Sequence, residues 1–180
     1  MSGNRGGTLL GLMVLVVTAC AGPLEPGAVG GSELSVTGGC ADATMYAATG
    51  DDRHLVVVRW EGAATRAFDH GPYDEEVTLP DDGVEVELQV GEELAERVCT
   101  DIIDPQWPDI EERWTAVSGD ARLEVTLEGD DHHALQGHGE AVATVTLRDV
   151  AFEPSQGSAT EAWHIERVSI PDAHIGWYPG

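Results

Sequence analysis

The sequence predicts an all-β domain, an antiparallel β-sandwich of about eight or nine strands with a β-barrel as the alternative. In residues 84–90 (VEVELQV) aliphatic side chains alternate with Glu and Gln, the pattern of a strand with one buried face. No window places apolar residues at the spacing of a convincing amphipathic helix; residues 91–98 come closest, as one short turn. Short strands separated by regular turn signals are typical of sandwiches and barrels.

Residues 54–61 (HLVVVRWE) are more apolar than the other runs and are therefore predicted to lie at the centre of the sheet. Val56, Val58 and Trp60 share one face of that strand and should point inward. Residues 121–128 (ARLEVTLE) alternate in the same way as residues 84–90 and predict a further half-buried strand.

Two later segments, residues 140–153 and 163–170, change their inward phase midway. A β-bulge near Arg148 and Asp149 would produce the change in the first of them. The turn residues of segments 80–83 (PDDG) and 118–120 (SGD) each stand between two alternating runs, and both are predicted to close hairpins.

Residues 9–17 form a run of apolar residues and glycine behind Arg5. The run is too short to span a bilayer, which takes about 20 residues, and is typical of a secretory signal. Residues 17–20 (VTAC) follow it and resemble the lipobox of bacterial lipoproteins, with an aliphatic residue at minus three and a small residue before the cysteine. The alternative is an ordinary secretory peptide, which leaves Cys20 as an odd thiol.

The lipobox resemblance implies cleavage after residue 19 and diacylglycerol on Cys20, which then anchors the protein in the lipid bilayer. Two acyl chains give stable anchoring where one does not. The Gly- and Pro-rich stretch that follows is interpreted as a flexible tether. The expected organisation is a signal peptide at 1–19, a tether at 20–36 and one β-domain at 37–180. The expected location is the extracytoplasmic side of the cell membrane or outer membrane.

The segment 175–180 (IGWYPG), with Gly39-Cys40 and Cys99-Thr100-Asp101, is similar to a group of bacterial lipoproteins. That resemblance implies an all-β extracytoplasmic domain and brings no known activity with it.

The charge is strongly one-sided, because 33 acidic residues face nine arginines and no lysine, for a net charge of −24. Such a chain repels the phosphates of nucleic acids and of anionic lipid headgroups. A nucleic-acid partner is therefore excluded, and cations, basic proteins, or water and salt alone are favoured.

Three cysteines are present. If Cys20 is lipidated, Cys40 and Cys99 remain as an even pair in an oxidising compartment, which favours a disulfide. Two buried thiols or metal ligands are the alternative, although neither cysteine lies in a CxxC or CxxH motif.

The loop of residues 129–139 (GDDHHALQGHG) is a candidate site for a divalent metal, since imidazole and carboxylate ligands suit zinc or copper. Its candidate ligands are Asp130, His132, His133 and His138. The spacing matches no known metal motif, and a polar hairpin loop explains the same composition.

Residues 100–113 (TDIIDPQWPDIEER) fit no strand pattern, and Pro105 and Pro108 flank Trp107 there. Long irregular segments in compact domains are functional or disordered. Trp107 is therefore the candidate contact for a basic protein partner, with acidic neighbours as a rim; the alternative is that Trp107 folds back onto the sheet. The rim consists of Asp101, Asp104, Asp109, Glu111 and Glu112.

The sequence favours a membrane-tethered binding or structural domain over two alternatives, a metal-binding lipoprotein and a hydrolytic enzyme. For hydrolysis, His164 and Glu166 are the nearest approach to an acid–base pair, one residue apart on a strand. No nucleophile motif such as G-x-S-x-G is present, and no catalytic residue is assigned.

Overall fold

The computed structural model describes residues 33–100, 102, 104–128, 140–155 and 162–176, and these form the predicted all-β antiparallel fold. Within these residues, one helix, α1 (Ala63–His70), and one short 3-10 helix (Ala95–Arg97) accompany eight strands. The strands are β1 (Leu34–Cys40), β2 (Thr44–Thr49), β3 (His54–Trp60), β4 (Tyr73–Leu79), β5 (Val84–Val90), β6 (Glu112–Glu128), β7 (Glu140–Pro154) and β8 (Trp163–Ile175). The predicted signal peptide and Cys20 lie outside the described residues.

The eight strands form one sheet that is nearly closed and barrel-like. Its order is β1-β2-β3-β5-β6-β7-β8, with β4 beside β6. The first and last strands meet where the Gly176 N–H donates to the Ala41 carbonyl at 2.6 Å. At Gly39 the strands are so close that an added Cβ would lie 2.9 Å from the Ala173 Cβ. Only glycine leaves room for this approach.

The inward side chains fill the barrel with a continuous apolar core. Val56, Val58 and Trp60 are buried in it, which confirms the inward face predicted for β3. Its largest fully buried side chains include Trp114 and Phe152.

Both predicted changes of inward phase occur, and they lie at the same level of the sheet. Ser118 pairs with Ala151 while Asp120 pairs with Arg148, so β7 contains one extra residue there. That residue is Asp149, which has a positive φ of 50°. In β8 two successive outward side chains separate the buried Ile165 from Val168. The bulge predicted near Arg148 and Asp149 is therefore confirmed.

Neither predicted hairpin forms. Residues 118–120 lie inside β6, where Gly119 has a positive φ of 125° and marks a bulge. Residues 80–83 do separate β4 from β5, but these two strands do not pair with each other. Both lie against the same edge of β6, β5 at residues 112–115 and β4 at residues 119–125.

One helix and the start of the folded domain differ from the sequence prediction. Helix α1 was not predicted; it buries Ala63, Ala64 and Ala67 against the core. Alanine has high helix propensity, but its small side chain gives a weak apolar periodicity. β1 begins at Leu34, which is buried, so the folded domain starts inside the segment predicted as tether.

We expect Gly119→Ala to lower the free energy of unfolding by about 3 kcal/mol, through backbone strain at positive φ and overpacking. The new Cβ would lie 2.8 Å from the Val150 Cα and 2.9 Å from the Arg148 carbonyl oxygen. Denaturant unfolding measures the change. Gly50→Ala is the control, since its Cβ would meet only the Ser35 hydroxyl at 3.7 Å. Equal unfolding midpoints for the two variants would contradict this account.

Candidate functional site: a strap across the outer face

Residues 91–111 cross the outer face of the barrel, and we call them the strap; residues 101 and 103 of it lie outside the described residues. The strap covers a second, smaller core. Leu94 of the strap is fully buried there with Ala48 of β2 and with Leu55 and Val57 of β3. Much of β3 is consequently buried on both faces, which explains why residues 54–61 are more apolar than the other strand segments.

A disulfide holds the middle of the strap to the sheet. Cys40, at the end of β1, is bonded to Cys99, and their Cα atoms are 5.7 Å apart. The predicted pairing is confirmed, and the alternatives of buried thiols or metal ligands are thereby ruled out for this pair.

The two ends of the strap are tied to the β2–β3 turn by one arginine. Arg53 forms ion pairs with Glu92 at 2.9 Å and with Glu111 at 3.3 Å. From the same turn, the Asp52 carboxylate accepts the N–H of Ala95 at 2.9 Å. Burial, with the negative charge of Asp52 as a second cause, raises the pKa of Tyr46, which packs against the second core.

Trp107 is half-buried. It is therefore neither fully exposed, as a partner contact would be, nor fully folded back onto the sheet. The guanidinium carbon of Arg97 lies over its ring, 5.6 Å from the ring centroid. Arg97 is itself held, because it donates to the carbonyls of Glu93 at 2.9 Å and Glu92 at 2.7 Å. The indole therefore rests against a fixed cation, a favourable cation–π arrangement.

The chain around Trp107 is ordered by a local turn. The Asp104 carboxylate accepts the Gln106 N–H at 2.8 Å, and the Asp104 carbonyl accepts the Trp107 N–H at 3.1 Å. Ile110 packs against the second core. At the other side of the turn Ile102 is 65% exposed, more than the other exposed large apolar residues described, Val36 at 45% and Val117 at 38%.

The predicted acidic rim is realised in part. Asp109 and Glu111 are exposed on the strap, whereas Asp104 is half-buried in the turn and Asp101 lies outside the described residues. Glu112 is a correction, because it begins β6 and accepts the Trp114 indole N–H at 3.1 Å. Arg113 likewise belongs to β6, so the irregular segment ends at residue 111 and not at residue 113.

Sequence reasoning missed Arg97, Glu93 and Glu96 as parts of this surface, and it did not single out Ile102 within the predicted contact loop. The Arg97–Trp107 contact joins two residues on opposite limbs of the strap, and no periodic pattern signals such a contact. The exposed pair Glu93 and Glu96 stood in a segment predicted only as a short helical turn.

The other sequence candidates do not come together in the described residues. The predicted metal ligands Asp130, His132, His133 and His138 lie outside them. Among the residues that are described, no group of three or more His, Cys, Asp or Glu side chains is arranged to hold a metal. His164 and Glu166 are both exposed, on either side of the buried Ile165.

An open cleft of about 400 Å³ lies between the β1–β2 turn and residues 81–85. Its wall includes Trp60 and an ion pair between Arg59 and Glu85 at 2.9 Å. The carboxylates of Asp42, Glu61, Asp81 and Asp82 also line it, beside the apolar side chains of Ala43 and Val84. It does not adjoin Trp107 or the exposed face of the strap.

Comparison with known proteins finds no matching family model, no matching curated protein and no matching solved structure. Neither helix in the described part of the chain has the length and apolar character needed to cross a membrane.

We expect Arg97→Met to free the indole of Trp107, because methionine keeps the apolar stem but removes the guanidinium and its two hydrogen bonds. Acrylamide quenching of tryptophan fluorescence should rise, and the rise should be absent when Trp107→Phe is added to the variant. The free energy of unfolding should fall by about 1 kcal/mol. Arg167→Met is the control, an exposed arginine on β8. Identical quenching in the two methionine variants would show that Arg97 does not hold the ring.

We expect the double variant Cys40→Ser/Cys99→Ser to lose about 4 kcal/mol of stability, the chain-entropy value for a loop of this length. Hydrogen exchange should accelerate chiefly in the strap, since the barrel strands keep their pairing. Unfolding in denaturant and peptide-level exchange measure the two effects. A uniform acceleration over β6, β7 and β8 would mean that the disulfide supports the whole barrel and not the strap.

Proposed function

We propose that this chain is a lipid-anchored extracytoplasmic protein whose barrel acts by binding a partner at the strap. One observation carries the anchor: of three cysteines, Cys40 and Cys99 are bonded to each other. This leaves Cys20 as the one cysteine outside that bond, three residues after the apolar run and at the place where the lipobox resemblance puts the acylated residue.

The disulfide also supports the compartment. Disulfides persist in oxidising surroundings and are rare in reducing ones. Thirteen residues separate Cys20 from Leu34 at the start of β1, and a flexible tether of that length has an end-to-end distance of about 20 Å. An acylated Cys20 would therefore hold the barrel close to the bilayer, with freedom to turn.

A binding role is supported by where the surface chemistry lies. The strap presents a half-buried tryptophan and an exposed isoleucine on a segment fixed by a disulfide and by Arg53. Loops on a rigid scaffold are where all-β domains usually carry their contacts.

The anchor is tested on the full chain expressed in a bacterium. Intact-mass analysis should find a mature protein that begins at Cys20 with a diacylglycerol adduct. Cys20→Ser should lack the adduct and either leave the membrane fraction or retain residues 1–19. The matched control is Cys40→Ser/Cys99→Ser, which removes the other two thiols and should remain acylated. A wild-type mass without an acyl adduct on Cys20 would refute the anchor.

A further inference from the structure

We propose that the strap surface around Trp107 binds a protein segment in which arginine or lysine alternates with apolar side chains. This proposal deepens the binding role given above and rests on it, but it does not depend on the lipid anchor. Three features of the strap carry it: the apolar contacts, their rigid presentation and the uncompensated charge.

The apolar contacts are Trp107 and Ile102. Tryptophan is enriched among the residues that dominate binding energy at protein interfaces. Ile102 is 65% exposed, so a partner that covers it removes apolar surface from water. The apolar side chains of the partner would meet these two residues.

The presentation is rigid, which lowers the ordering cost of binding. The Cys40–Cys99 disulfide precedes Ile102 by three residues, the Asp104 turn precedes Trp107 by three, and Ile110 is anchored in the second core. Arg97 supports the indole from one side. Trp107 thus lies on a short span between fixed points, and Ile102 lies three residues after the bonded Cys99.

The charge of the strap selects the partner. Its six described carboxylates face two guanidinium groups, those of Arg97 in the strap and Arg53 in the turn below. Arg53 is engaged by Glu92 and Glu111, and Arg97 donates to backbone carbonyls. The exposed carboxylates of Glu93, Glu96 and Asp109 remain for cations of the partner, and such complementarity steers association.

A second copy of the chain is a poor occupant, because each copy carries a net charge of −24 and like charges repel. That same charge would attract any polycation to any part of the protein. A test must therefore separate binding at the strap from diffuse attraction, and matched variants elsewhere on the barrel do so.

The probe is a fluorescein-labelled decapeptide of alternating arginine and leucine, titrated by anisotropy with the full chain in non-ionic detergent, with empty micelles as blank. Trp107→Ala should raise the Kd at least about 10-fold, as expected for a hot-spot tryptophan. Ile102→Ser, at a position that is 65% exposed, should raise it several-fold. Val117→Ala, an exposed apolar residue on β6, should leave it unchanged.

Charge is tested by two double variants with the same change in net charge. Glu93→Gln/Glu96→Gln alters the strap, whereas Asp69→Asn/Glu76→Gln alters exposed carboxylates on α1 and β4. The strap variant should weaken binding several-fold and flatten its salt dependence, and the distant variant should not.

Equal losses in the two charge variants, or equal Kd values for Trp107→Ala, Ile102→Ser and Val117→Ala, would overturn the proposal and leave diffuse attraction as the explanation. Absence of peptide binding by the wild type would overturn it as well. None of these outcomes affects the acyl mass of Cys20, so failure here is distinguishable from failure of the anchor.

Discussion

The outer face of β3 is the constraint around which the rest of the molecule is arranged. Leu55 and Val57 point away from the barrel interior and are nevertheless fully buried, so something must cover them, and the strap does so. Beyond the strap the same face is covered differently: Glu87 is only 7% exposed and is paired with Arg113 at 2.8 Å, with Arg59 at 3.6 Å. One part of the outer face is thus covered by apolar packing under the strap, and the neighbouring part by ion pairs around Glu87.

Much of the fold was predictable because alternation reports which face of a strand is buried. Residues 84–90 were predicted as a strand and are β5 to the residue. Turn residues were less informative, since they mark where a strand is interrupted but not which strand it pairs with. This is why residues 80–83 suggested a hairpin, although β4 and β5 both pair with β6. Helix α1 escaped detection because alanines form its buried face.

The site was predictable where counting or composition carried the information. The Cys40–Cys99 bond followed from the number of cysteines, and Trp107 stood out because prolines surround it. The stacking of Arg97 on Trp107 could not be inferred, because it depends on how the strap doubles back over the sheet. The same holds for Arg53, whose role in joining both ends of the strap exists only once Glu92 and Glu111 are adjacent.

The meeting of β1 with β8 has a consequence for the order in which the barrel can assemble. The chain is synthesised from its N-terminus. Residues 34–111 contain β1, β2, β3 and β5, each paired with the next, together with the strap and both bonded cysteines. This portion can pair and oxidise early. The seam, by contrast, waits for Gly176 to reach Ala41, a contact across nearly the whole domain, and contacts of such sequence separation form slowly. Until then the edge of β1 that faces β8 is open. The molecule therefore passes through a stage in which a partial barrel is already cross-linked by its disulfide but has not yet closed.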